Sequence, residues 1–421
     1  MGTAEPDGLA DSRRLSPNLV AGALLIVLSV ALLLWQRPWQ SSTSGDVVPV
    51  PDDAGSLIAD QFRALSNADT RQEFVTAAGS GSKARTFATD AWDARAVLDV
   101  AGVEMRYLRG GEVPDRADGS TLAEVSVSWR AGRDSAVTGT SVRDATVEFR
   151  LDPRPDGGFA VRSASAHEEP LPLWLAGRVE VERAPGVRVI TIDGGVPDID
   201  GLAMARVARD HVRDVVPGVD DDLTIVSPRT RDLAAGLVGR PPKEITPVAA
   251  VTTTVDGRTA TARVIVLNPA QFATMDARAA QVVVSHEAAH LLTGTVGTNV
   301  EAWVAEGFAD FVALHDDTAP LSLSAGQILN QVRKDGAPKA LPSQDDFGGG
   351  GHGLGAVYES AWMIFRMLGE SHSDATILRF YRNVLAGTDV DIAVRAAFDL
   401  SIAQLTAQWR DYLTKSASTV S

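Results

Sequence analysis

The pentapeptide His286-Glu287-Ala288-Ala289-His290 constrains this chain more than any other stretch, because its chemistry needs one helix opposed by a second. The run Ala277–Val284 ahead of it reads as helix, so the two histidines fall at i and i+4, one turn apart on one face. Two neutral imidazoles at that spacing can reach a single Zn²⁺, and Glu287 then lies where it can take a proton from water at the metal. A third ligand is available sixteen positions after His290. Glu306 sits within Glu301–Phe311, which reads as a second helix, and the Gly294 and Gly297 region supplies the turn between them. Antiparallel helices would bring Glu306 opposite the histidine pair, a His₂Glu set with one coordination position open. Asp310, four residues on and on the same face, is placed to accept the outer N–H of a ligand histidine.

His-Glu-Ala-Ala-His followed by Trp303-Val304-Ala305-Glu306-Gly307-Phe308-Ala309 resembles the gluzincin zinc peptidases, the thermolysin and M1 aminopeptidase group of the peptidase MA clan. The resemblance implies that His286, His290 and Glu306 bind zinc, that Glu287 is the general base, and that Asp310 orients a ligand. Downstream, Tyr358-Glu359-Ser360-Ala361 is similar to the M1 segment that opens Tyr-Glu-Lys-Gly. Tyr358 would by that likeness stabilise the oxyanion, a task a phenol O–H suits. Fifteen residues separate His290 from Glu306, a shorter connection than the group usually carries, and no Gly-x-Met-Glu-Asn motif precedes the histidines. The resemblance therefore supports the clan and not aminopeptidase specificity. It spans about residues 187 to 414, and it implies that the strand just before the zinc helix, Arg263–Leu267 by position, forms the edge of the cleft.

The remainder of the chain sets the context. With 421 residues, 45% hydrophobic and 22% charged, it is long enough for two globular domains. A net charge of −15 argues against a nucleic-acid partner. There is no cysteine, so any zinc must be held by histidine and carboxylate. Residues 1–18 form a polar tail with Arg13 and Arg14, and Leu19–Trp35 runs seventeen residues without a charge, about the minimum to cross a bilayer. Bulky Trp35-Gln36-Arg37-Pro38-Trp39 follows in place of a small-residue cleavage site, so an uncleaved membrane anchor is expected, with the body outside the cytoplasm. A linker, 36–52, leads to helical patterns with Leu57, Ile58, Phe62 and Leu65 on one face, a Thr70–Glu73 capping box, and a helix carrying Phe87, Trp92 and Val97. Period-two alternation then marks strands at Val103–Leu108, Leu122–Trp129, Ala145–Leu151 and Phe159–Ala164.

The expected fold is α+β: a transmembrane helix, an α+β membrane-proximal domain over 53–170 similar in element order to the NTF2-like cone, a crossing over 171–186, and a gluzincin-like domain over 187–414. That last domain should open with strands Val187–Ile192 and Leu223–Val226, and with a hairpin of Val248–Val255 and Thr259–Leu267 around Asp256-Gly257. It should close with one amphipathic helix over Ile392–Leu413. Gly348–Gly351 and His352 read as a loop before the Tyr358 helix. The expected activity is hydrolysis of a peptide or protein substrate with Zn²⁺ as cofactor. Two other readings fit the same residues: a silent envelope scaffold of peptidase shape, and a zinc hydrolase of other amides or esters.

Overall fold

A computed structural model of the chain describes residues 48–131, 142–254, 263–295, 297–348 and 353–419. The expected anchor Leu19–Trp35 with its flanking arginines, the Asp256-Gly257 turn and Gly349–His352 lie outside those residues. Among the described residues, no helix is long and apolar enough to cross a membrane.

Three helices, α1 (Ala54–Ser66), α2 (Arg71–Ala77) and α3 (Ser82–Val97), precede an antiparallel meander of β1 (Val100–Gly110), β2 (Thr121–Ala131), β3 (Val142–Pro153) and β4 (Phe159–Ala166). Alternation works as expected on β2, where Ala123, Val125, Val127 and Trp129 are buried and the residues between them half-exposed. The face of α1 that meets this sheet is Ala54, Ile58, Phe62 and Leu65. The capping box forms: Glu73 N–H donates to the Thr70 hydroxyl at 3.2 Å, and Thr70 N–H donates to the Glu73 carboxylate at 3.1 Å. Helix α3 carries Phe87, Trp92 and Val97 as expected, with Phe87 and Trp92 half-buried against the core. It buries Ala84, Ala88, Ala91 and Ala94, while Val97 is exposed, because a stripe of small side chains lets its backbone lie closer to the layer beneath.

The second sheet holds β5 (Val179–Ala184), β6 (Val187–Ile192), β7 (Leu223–Pro228), β8 (Ala250–Thr254) and β9 (Arg263–Leu267) in the order β5-β6-β7-β9-β8. The central three are mutually parallel and the outer two antiparallel to their neighbours. Residues 179–184 are therefore an edge strand and not part of a crossing. The tight turn at Pro185-Gly186, with Gly186 at φ 70°, folds them back on β6. The helices are α4 (Gly201–Val215), α5 (Arg231–Leu237), α6 (Pro242–Ile245), α7 (Pro269–Phe272), α8 (Ala277–Thr293), α9 (Ala302–Ala313), α10 (Leu321–Ser324), α11 (Gly326–Asp335), α12 (Gln344–Gly348), α13 (Leu354–Gly369), α14 (Asp374–Leu385), α15 (Val390–Phe398) and α16 (Ile402–Thr419). The closing amphipathic stretch is two helices and not one, since Asp399 takes a left-handed conformation (φ 58°) that ends α15.

Both faces of the second sheet are covered. Ile190, Ile192, Val226, Val264 and Val266 join the core of the N-terminal domain through Leu173, Trp174 and Leu175. Val189, Leu223, Ile225, Ile265 and Leu267 face the opposite way, into the core with α4, α8 and α9. A strand between two cores must be apolar throughout, and every residue of β7 is buried. The sheet is thus a wall shared by the two domains, and α8 lies against its far side.

Candidate active site and metal centre

Helix α8 begins at Asp276, whose carboxylate accepts the Ala279 N–H at 2.8 Å, and ends at Gly294 in the left-handed region (φ 77°). Its buried face includes Val284, Ser285, Ala288 and Ala289, leaving His286, Glu287 and His290 on the cleft side. The orientation is pinned from behind. The fully buried Ser285 hydroxyl lies 3.0 Å from His211 Nδ1 on α4 and accepts from Gln281 Nε2 at 3.1 Å. At the far end, Thr293 and Thr295 hydrogen-bond the Tyr381 hydroxyl, whose ring stacks on Phe308 of α9 at 3.8 Å. This ties the exit of α8 to the helix that carries Glu306. On its other side α9 meets α13 at Gly307, where a Cβ would stand 2.7 Å from the Ala361 carbonyl oxygen.

These two helices bring the three expected ligands together. His286 Nε2 lies 3.1 Å from His290 Nε2 and 3.1 Å from Glu306 Oε2, and His290 Nε2 lies 3.3 Å from the same carboxylate oxygen. Tetrahedral zinc with bonds of about 2.0–2.1 Å spaces its ligand atoms about 3.3 Å apart, so the donor set fits that ion in spacing and in chemistry. Asp310 Oδ1 lies 2.7 Å from His286 Nδ1, which places the ring proton on Nδ1 and turns the Nε2 lone pair inward. Only 13%, 12% and 23% of the His286, His290 and Glu306 side chains is exposed. Burial disfavours the charged form of His286, yet the carboxylates of Asp310 and Glu306 outweigh it and hold its pKa well above the usual value. Burial likewise opposes the charge on Glu306, but hydrogen bonds from both histidines hold its carboxyl far below the usual range. The two shifts are halves of one interaction, each partner stabilising the charged form of the other.

Glu287 and Tyr358 face the same cleft, of about 700 Å³. The Glu287 carboxylate is held by a residue that the sequence did not single out. Thr252 donates its N–H (2.9 Å) and its hydroxyl (2.6 Å) to Oε2, leaving Oε1 free of them. Thr252 is on β8, and this corrects the expected cleft edge. Strand β9, Arg263–Leu267, is bonded on both sides, to β7 and to β8, so the free edge belongs to β8, which folds back outside it. Asn268 N–H donates to Ala249 C=O, so Ala249, Val251 and Thr253 face β9 while Ala250, Thr252 and Thr254 turn their backbone groups outward.

The Tyr358 ring centre is 6.3 Å from that of His286, and Phe347 of α12 packs edge-on to it at 5.2 Å. Burial, with the charges of Glu306, Asp310 and Glu287, raises its pKa, so the phenol stays a proton donor. The next residue, Glu359, points elsewhere. It accepts the Ile328 N–H at 2.7 Å in the first turn of α11, and burial pushes its carboxyl up to about 7 against the pull of that bond and of Gln327.

Comparison with models of known protein families gives no match, and comparison with curated proteins gives none either. Among solved structures the chain is similar to an M1 zinc metallopeptidase from Deinococcus radiodurans, crystallised with a Tyr-Ser-Ala substrate. The likeness covers 74% of this chain and 69% of that one, at 13% identity and a TM-score of 0.36. A likeness this loose carries no weight for function, which rests on the geometry of the site.

Proposed function

We propose that the chain is a zinc-dependent peptidase, with His286, His290 and Glu306 as ligands. The observation that carries this is the convergence of three donor atoms at tetrahedral spacing, on a cleft that Glu287 and Tyr358 also line. Zinc bound by these three residues would supply Lewis-acid chemistry, polarising a carbonyl and making water a better proton donor. Glu287, fixed by Thr252 through Oε2, takes that proton on Oε1 and delivers it to the leaving amine. Tyr358 presents its hydroxyl to the carbonyl oxygen as charge builds there. Asp310 keeps His286 in the tautomer that ligation needs.

A peptide is favoured over a small amide or ester by the free edge of β8. The outward groups of Ala250 and Thr254, with the Thr252 carbonyl, offer main-chain hydrogen bonds to an extended substrate beside Glu287. The apolar run Leu19–Trp35, with Arg13 and Arg14 ahead of it, supports a membrane-anchored enzyme whose body lies outside the cytoplasm.

The test is metal analysis joined to cleavage. Purified protein should carry about one zinc per chain, which His286→Ala or Glu306→Ala should lose. Glu287→Gln should keep zinc and lose about 10²–10⁴-fold of peptide cleavage. Wild type that takes up no zinc, or Glu287→Gln that cleaves at the wild-type rate, would end this reading.

A further inference from the structure

The lining of the cleft includes the apolar residues Ile245, Val248, Met275 and Val283, and it also includes Arg240. Among the described residues that line the cleft, Arg240 is the only lysine or arginine; the other ionisable groups are the histidines, carboxylates and Tyr358 of the site. Its side chain is exposed and makes no ion pair or hydrogen bond among the described residues.

The backbone beneath it is rigid. Arg240 N–H donates to the Ala235 carbonyl at 3.0 Å, and Pro241 and Pro242 restrict the chain that follows. Gly239, at φ 64°, lies so close to Pro170 that a Cβ would come within 2.9 Å of the proline nitrogen. Beyond the prolines, Gln271 Nε2 donates to the Thr246 carbonyl at 2.6 Å. Asn268 Nδ2 donates to the carbonyls of Ile245 (2.9 Å) and Val248 (2.8 Å). The guanidinium therefore stands on a segment fastened to the beginning of the free edge strand.

We propose that Arg240 is a specificity-determining residue that receives a carboxylate of the peptide bound in the cleft. The inference rests on the peptidase reading and adds a substrate class to it. A guanidinium pairs with a carboxylate through two parallel N–H···O bonds, a planar fork matched to the two carboxylate oxygens. The carboxylate is either the peptide's C-terminus or an Asp or Glu side chain, and the chemistry at Arg240 is the same for both.

The experiment reads binding, so that it does not depend on turnover. Zinc-loaded full chain carrying Glu287→Gln is titrated with fluorescein-labelled hexapeptides in matched pairs, free acid against C-terminal amide, and Glu against Gln at each interior position. At least one pair should differ about tenfold in Kd in favour of the carboxylate, a gap that narrows with salt. Adding Arg240→Gln should close the gap, and Arg240→Glu should invert it. The free-acid pair responding identifies a C-terminus reader; an interior pair responding identifies an acidic side chain. Equal binding across all pairs, a gap that survives Arg240→Gln, or no binding of any hexapeptide overturns the proposal. Carboxylate-selective binding with no cleavage by wild type would remove the peptidase reading and leave Arg240 standing. Equal cleavage of acid and neutral peptides, with no gap in Kd, would do the reverse.

Discussion

Gly307→Ala sets two effects of known size against each other. Alanine inside a helix is favoured over glycine by about 1 kcal/mol, so on propensity alone α9 should gain. At this position, however, the new methyl would stand 2.7 Å from the Ala361 carbonyl oxygen and from Phe365 Cδ2, and 2.9 Å from the Ala361 carbonyl carbon. The oxygen is backbone and has no rotamer to escape into. Phe365 is fully buried, with Trp303, Phe308, Phe311 and Phe380 around it. Helices α9 and α13 must therefore part by about 0.7 Å to restore van der Waals contact. Overpacking of this kind costs about 1–3 kcal/mol, and with immovable neighbours the upper part of that range applies, for a net loss of about 2 kcal/mol. Glu306, the preceding residue, moves with the helix, and zinc affinity should fall about 10–100-fold, as when a ligand's support is lost. Urea denaturation of the metal-free protein gives the first quantity and competition with a chromophoric chelator the second. Gly326→Ala is the control, because a Cβ there meets nothing within 4 Å, and it should stabilise by up to about 1 kcal/mol. Gly307→Ala as stable as wild type, with unchanged zinc affinity, would refute the close-approach argument.

Two further outcomes are expected. Thr252→Val removes the hydroxyl that holds Glu287 while leaving the backbone N–H, so kcat should fall about tenfold with KM and zinc content unchanged, and Thr252→Ser should restore it; a loss carried by KM alone would place Thr252 in substrate binding instead. Glu359 has a folded pKa near 7 against an ordinary value of 4.5, so the folded state binds its proton more tightly. Its contribution to stability is full below about pH 4.5 and is lost as pH rises through about 7, by at most about 3 kcal/mol. Glu359→Gln should remove that part of the pH dependence, and parallel stability–pH curves for the two proteins would contradict it.

The elements most legible in the sequence are those whose burial is decided locally. The meander alternates because one face of it meets α1 and the other meets solvent, and β2 and β3 lie where the period-two pattern puts them. Strand β5 carries a weaker signal. As an edge strand its outward positions are Glu180, Glu182 and Arg183, so the pattern reads as a polar connection. In α3 the aromatic Phe87 and Trp92 draw attention and do pack half-buried on the core, but the fully buried positions are four alanines, which have no periodic contrast with their neighbours strong enough to mark a face. The break at Asp399 is invisible because the apolar periodicity resumes in α16 almost in phase.

The same division runs through the site. His286, His290, Glu306 and Asp310 are related by helical spacing and one reversal of the chain, and both are written in consecutive residues. The position of Thr252 depends on the order of strands in the sheet. Reading along the chain, the strand before α8 is β9, and the natural inference makes it the cleft edge. The hairpin places β8 outside β9, and that order is chosen by which strand β7 accepts as a parallel neighbour, a contact between Ile225 and Ile265 forty residues apart. Since β9 is apolar on both faces and β8 carries three threonines, burial favours β9 inside, next to β7, and leaves the threonine-bearing strand facing the cleft. The residue that holds the Glu287 carboxylate is thus selected by the competition of two strands for one buried position. Thr252, on the outer strand, then has both its backbone N–H and its hydroxyl free to donate to Glu287.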